Sequence, residues 1–231
     1  MHLYELMDFK TKLEYHHQLN PALWDKDSLK KEVKDKLDII ADEFLKELDI
    51  TDIKVKDIVL TGSNTNYNWT ELSDVDMHFI LKDGLDMDKM NAIKSLWNEK
   101  HDVTIKGFSV EVYVEDSSVN QSDDAGLYSL KHNKWLREPK FENIKFDYDK
   151  IKEKSEKWMK KIDKVINSSK NELDKAVKIF DKIKSSRHAA LAKGGEFCME
   201  NLVFKSLRNN KYIDKLASYI ARMKDEKLSL K

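Results

Sequence analysis

Asp74 and Asp76 stand one residue apart, and ten residues before them comes the pair Gly62-Ser63. On a strand, alternate side chains share a face, so the spacing projects both carboxylates to one side. Two like charges held that close repel unless a cation lies between them. Hard divalent cations such as Mg²⁺, or Mn²⁺, take such oxygen ligands and complete their shell with phosphate oxygens. Gly62 lets the backbone approach a ligand closely, and exposed amides with the Ser63 hydroxyl suit phosphate. Glu111 adds a third carboxylate, on a segment where Phe108, Val110, Val112 and Val114 alternate with Ser109, Glu111, Tyr113 and Glu115. If that strand lies beside the Asp74–Asp76 strand, the three acids converge and could hold two metal ions about 4 Å apart. Glu115 and Asp116 compete for the third place.

The elements that must position these groups follow from periodicity. Lys56–Thr61 reads as a short apolar strand ending in Gly62-Ser63, and Asp74–Leu81 as a second, with Val75, Met77 and Phe79 on one face. Residues 103–105 and 108–114 read as strands meeting near Lys106-Gly107. A helix is expected over 28–48, with Leu29, Val33, Leu37, Ile40, Phe44 and Leu48 on its apolar face and Asp27 or Ser28 as its cap. Residues 86–100 read as another helix, begun by the acids Asp86 and Asp88, and Trp24 reads as a core residue. Between 117 and 146 loop signals mix with short apolar pieces such as Leu127–Leu130. From Asp147 the pattern is helical, with a break at Lys193-Gly194-Gly195 and Trp158 and Phe180 at core spacing. The expected fold is α+β: a small mixed sheet with flanking helices over 1–146, then a helical region over 147–231.

Composition agrees with that division. Of 231 residues, 36% are charged, and only 6 are Gly and 2 Pro, which favours long solvated helices over a tightly turned sandwich. Net charge is zero, yet residues 1–150 carry 21 basic against 31 acidic side chains, and 151–231 carry 21 against 11. An acidic half suited to cations is joined to a basic half suited to phosphates. Arg187, Lys193, Lys205 and Arg208 could form a basic wall, although a solvated lysine at a Gly-ended helix is the plainer account of Lys193. The single cysteine, Cys198, excludes an intrachain disulfide and suggests a reducing, cytoplasmic setting. Met1–Glu5 lacks a basic-then-apolar leader pattern, and no apolar run is long enough for a membrane span. His78 and the His16-His17 pair read as structural or surface groups. Tyr67 and Trp69 could stack a base or anchor their loop.

The order Gly-Ser, spacer, Asp-x-Asp, then an acid on a later strand resembles the DNA polymerase β-like nucleotidyltransferase superfamily. The resemblance implies that Gly62 and Ser63 contact a triphosphate and that Asp74, Asp76 and Glu111 hold two Mg²⁺ ions. It also implies that Glu111, where the family commonly has Asp, helps deprotonate the acceptor hydroxyl. The chain is further similar to nucleotidyltransferases encoded by tailed phages in Leu19-Asn20-Pro21, Leu60–Asn64, Ser73–His78, Val110–Val114 and Gly194–Phe197. The expected activity is transfer of a nucleoside monophosphate from an NTP to a hydroxyl of RNA, a small molecule or a protein. The rival expectations are a noncatalytic nucleotide- or RNA-binding module and a two-metal nuclease or phosphatase. Neutral net charge speaks against nonspecific duplex binding.

Overall fold

In the computed structural model the described residues are 13, 15–50, 54–117, 126–141 and 145–230. The opening stretch read above for a leader, and part of the weakly patterned region after 117, lie outside them. The chain divides into two compact units, Glu14–Asn143 and a helical one formed by Ile144–Lys231 with Leu13 in its core. The fold class is α+β, as the periodicity implies.

The first unit opens on a two-residue ladder, β1 (Trp24–Asp25) with β2 (Ser28–Leu29), followed by α1 (Lys31–Glu47). Then come β3 (Val55–Thr61), β4 (Val75–Leu81), α2 (Met87–Lys100), β5 (Thr104–Ile105), β6 (Phe108–Asp116), β7 (Leu127–Ser129) and β8 (Lys134–Arg137). The last six strands form one mixed sheet in the order β5-β6-β4-β3-β7-β8. Its central pairs are β3–β4, antiparallel, and β4–β6, parallel. A parallel pair needs a crossover, and α2 supplies it. β5 and β6 meet at Lys106 (φ 53°) and Gly107 (φ 89°), the positive-φ pair a two-residue hairpin turn demands.

Strict alternation sorts the sheet into two faces. Val75, Met77, Phe79 and Leu81 of β4 and Val110, Val112 and Val114 of β6 are buried. The core builds on them, with Phe44 of α1 packing on Phe79 (4.8 Å between ring centroids) and on Trp97 of α2 (5.4 Å). Asp76, His78 and Ile80, with Glu111, Tyr113 and Glu115, belong to the opposite, half-buried face. Beyond the reach of short β5, the edge of β6 is covered by a side chain: Asn98 of α2 donates to Val112 O (2.9 Å) and accepts from Val112 N (3.1 Å). That pairing blunts an otherwise open strand edge.

One helix boundary differs from expectation. α1 starts at Lys31 with Lys30 as its N-cap and no capping side chain, so neither Asp27 nor Ser28 caps it. Ser28 and Leu29 are drawn into the ladder with Asp25 and Trp24, and Lys30 N donates to Leu23 O (3.0 Å). Backbone pairing plus burial of Leu29 outweighs a cap, which is worth about 1 kcal/mol. Asp86 does cap α2, accepting from Lys89 N at 3.1 Å.

The second unit is a packed set of four helices: α3 (Tyr148–Ile166), α4 (Leu173–Gly194), α5 (Met199–Asn209) and α6 (Tyr212–Leu228). Ile151, Ile162, Leu207 and Leu216 are fully buried in its core. Asp147 caps α3, and Gly195 (φ 63°) ends α4, so the glycine break falls where expected. Trp158 and Phe180, expected in the core, are only half-buried, each with a lysine ammonium over its ring (Lys161 at 4.6 Å, Lys184 at 4.5 Å). Among the described residues no helix is long and apolar enough to cross a membrane.

Phe79 is completely buried. Phe79→Ala should therefore lower stability by about 3–5 kcal/mol. Leu96→Ala, at a position 64% exposed, should change it by less than about 0.5 kcal/mol. Urea denaturation of both variants checks the assignment of sheet faces and core.

Candidate active site

The Gly62-Ser63 turn is built by the strand before it and the aspartates after it. Gly62 leaves β3 at φ 81°, ψ −161°, a conformation essentially closed to residues with a Cβ. Space imposes the same restriction, because a Cβ at Gly62 would collide with Asp76 Oδ2. The glycine thus admits the Asp76 carboxylate against the main chain. Ser63–Thr65 then form one turn of 3₁₀ helix, and Thr65 Oγ1 donates back to Gly62 O (3.0 Å). Ser63 caps no helix. Its hydroxyl donates to Ser73 Oγ (2.8 Å), closing the base of the ten-residue loop just before Asp74.

Asn64 organises that loop. Its Nδ2 donates to Asp74 O (2.9 Å), its Oδ1 accepts from Asn20 Nδ2 (2.8 Å), and its carbonyl accepts from Trp24 Nε1 (2.7 Å). Further along, His16 stacks on Trp69 (3.8 Å, 13° between planes), and Trp69 Nε1 donates to Gln18 O (3.0 Å). Tyr67 packs against Tyr15 and Phe141. Both aromatics anchor the loop, and His16 is a half-buried stacking partner; only His17 of that pair is exposed. Asn68 is buried, and its amide atoms bond to no protein group.

Strand register brings two of the three acids together. Asp76 lies directly opposite Glu111 across the parallel β4–β6 pair, with Asp74 just before β4. Tyr113, two residues beyond Glu111, donates its hydroxyl to Glu111 Oε2 (2.6 Å). Burial first, and then the negative charge of Asp76, Glu111 and Asp74, holds the Tyr113 hydroxyl far above its ordinary pKa, so it remains a donor. His78 stacks on Tyr113 (4.5 Å) and its Nδ1 contacts Glu115 Oε1 (2.8 Å), which keeps His78 structural. Glu115 sits opposite Ile80, four positions along the strand from Glu111 and engaged with His78.

Asp74, Asp76 and Glu111 offer hard oxygen donors only, the ligand type that Mg²⁺ takes, with a glycine backbone at the Asp76 carboxylate. Among the described residues no group of three or more His, Cys, Asp or Glu is placed so that it could hold a metal ion. A cavity of about 490 Å³ lined by Glu47, Ile93, Leu96, Trp97, Glu99 and Lys100 includes none of Asp74, Asp76 and Glu111.

In the helical unit the expected basic residues have separate fates. Lys193 is exposed at the end of α4. Lys205 is largely buried and pairs with Glu196 (2.9 Å), whose side chain and backbone also accept from Asn201 Nδ2. Arg187 Nε donates to Asn201 Oδ1 (2.9 Å), and its guanidinium lies over Phe204 (4.3 Å). Arg208 is half-buried on α5. Lys205 and Arg187 thus serve an internal network around the Gly195 turn, a role hidden from a count of charges. Asn64, Tyr113 and His16 were likewise missed, although a polar Asn in the segment after Gly-Ser was a visible signal for the first. Compared with protein-family models, curated proteins and solved structures, the chain matches none.

Two outcomes follow from these contacts. Gly62→Ala should cost at least about 1–3 kcal/mol from backbone strain alone. Part of the total should vanish in an Asp76→Ala background, where the carboxylate no longer obstructs the new methyl; a double-mutant cycle by denaturant titration reads the coupling. Lys205, then the charge of Arg187 and the Asn201 hydrogen bond, depresses the Glu196 pKa below its ordinary 4.5 against the opposing effect of burial. The stabilisation is thus complete above about pH 4.5 and is lost as pH falls through the depressed value. Glu196→Gln should flatten this acid limb, measured as thermal midpoint against pH.

Proposed function

We propose that the protein is a metal-dependent nucleotidyltransferase that moves a nucleoside monophosphate from an NTP to a hydroxyl acceptor and releases pyrophosphate. The observation that carries this reading is the register of Asp76 against Glu111, with Asp74 beside them and Gly62 yielding its Cβ space to the Asp76 carboxylate. The Gly62-Ser63 turn, closed onto Ser73, would receive the triphosphate through its main chain. Asp74 and Asp76 would hold Mg²⁺ or Mn²⁺, which when bound neutralises phosphate charge and lowers the pKa of the attacking hydroxyl.

Glu111 carries the proton step. Its Oε2 is engaged by Tyr113, which leaves Oε1 to take the acceptor proton. The new bond joins the acceptor oxygen to the α-phosphorus, and the bond that breaks lies between that phosphorus and the bridging oxygen of departing pyrophosphate. RNA, a small alcohol or a protein hydroxyl would each satisfy this chemistry. Lys193, Lys205 and Arg208 drop to a lesser place in the proposal, because Lys205 is already committed to Glu196.

Pyrophosphate release and NTP affinity, measured together, test the reading. Asp74→Asn and Asp76→Asn should each abolish release, by orders of magnitude in rate, and weaken metal-dependent NTP binding. Glu111→Gln should abolish release while retaining most NTP affinity. Unchanged release in either aspartate variant defeats the assignment. Metal-dependent NTP binding without any release, across RNA, metabolite and protein acceptors, favours the noncatalytic module instead.

A further inference from the structure

Along α3, Lys150, Lys154, Lys157, Lys161 and Lys164 recur at four- and three-residue steps, each one position before Ile151, Ser155, Trp158, Ile162 and Val165. The second series is the inward stripe of the helix: Ile151, Ser155, Ile162 and Val165 are buried. Trp158 alone in that stripe stays half-exposed. It lines a groove of about 280 Å³ with Ile183 and Ser186 of α4 and Val203 and Phe204 of α5. Lys154, Lys157 and Lys161 form its rim together with Glu200 of α5, which pairs with Lys154 (3.0 Å), and Lys161 Nζ lies 4.6 Å from the Trp158 ring centre. The lysine flank extends for roughly 21 Å at the usual rise of a helix. Lys157 is 66% exposed, and its partner Glu153 is equally solvated, so that pair exchanges freely with a competing anion. The unit as a whole is strongly basic, with 21 basic against 11 acidic residues over 151–231.

We infer that the α3–α4–α5 groove binds single-stranded nucleic acid, with a base stacked at Trp158 and phosphates drawn along the Lys154–Lys157–Lys161 flank. This inference is independent of the nucleotidyltransferase reading. A partly buried indole set among lysines over an apolar floor supplies both parts of such a site, an aromatic platform and a cationic track. A purely acidic protein partner would use the track but has no need of the indole. A duplex keeps its bases stacked inside and could use only the track.

The test is fluorescence anisotropy of the full chain with labelled oligouridylate and, separately, oligothymidylate, each twelve nucleotides long, at 50 and 200 mM salt. Trp158→Ala should weaken binding roughly 5- to 100-fold, the usual loss for one stacked base. Lys157→Ala with Lys161→Ala, both at exposed positions and safe for folding, should weaken it too and reduce the salt slope by about 1.4. Preference for the uridylate strand identifies RNA as the ligand; equal affinity identifies single strands of either sugar. The Asp76→Asn chain should bind as the parent does, which separates this site from the catalytic one. The inference is overturned if neither oligonucleotide binds, if the lysine variant binds as the parent does, or if folded Trp158→Phe and Trp158→Ala both retain full affinity. It is equally overturned if a poly-glutamate peptide competes at the same charge concentration, since charge alone would then explain the binding.

Discussion

Parallel pairing of β4 with β6, in the register that sets Asp76 opposite Glu111, is the constraint on which the candidate site depends. Side chains alternate with period two, so a slip by one residue would turn Glu111 into the core and Val110 or Val112 onto the polar face. The register is held from both sides. Met77, Phe79 and Val112 are fully buried beneath the sheet, and Asn98 clamps the Val112 backbone at its edge. The cost of crowding carboxylates is accepted because the hydrophobic face permits no other alignment. Tyr113 offsets part of it by donating to Glu111 while remaining protonated.

The loop from Gly62 to Asp74 is a second example of polar groups set by an apolar frame. Asn64 is 2% exposed and satisfies its amide on Asn20 and on the Asp74 carbonyl. Buried amides are stabilising only when bonded, and here the bonds tie the entry segment, the turn and the first aspartate into one network. The Gly62 conformation is strained for any other residue, and the Asp76 carboxylate occupies the space a side chain would need. Strain of this kind persists where surrounding contacts over-determine it, and the Ser63–Ser73 bond supplies one such contact.

In the helical unit, the same bulk charge is put to two different uses. Lys205 and Arg187 are turned inward to Glu196, Asn201 and Phe204, where they stabilise the chain reversal at Gly195. The lysines of α3 remain largely solvated beside an indole that the core leaves half-covered. Excess positive charge therefore says little by itself about ligand binding. What matters is whether each cation already has a buried anion.

Much of this molecule was legible in one dimension, because short-range physics determined it. Alternation in Val75–Leu81 and Phe108–Val114 identified the strands and their faces, the helical steps of α2 and α3 identified the helices, and Gly62, Lys106-Gly107 and Gly195 marked the turns. The candidate acids Asp74, Asp76 and Glu111 could be named from residue type and spacing. Pattern failed where two local tendencies competed, as at Ser28, which joined a ladder with Asp25 instead of capping α1. It also failed where a partner lies far along the chain. Nothing local sets His16 on Trp69, Asn20 on Asn64 or Lys205 on Glu196. Those choices belong to tertiary structure, because a hydrogen bond or a strand register depends on which distant groups the packed core brings within about 3 Å.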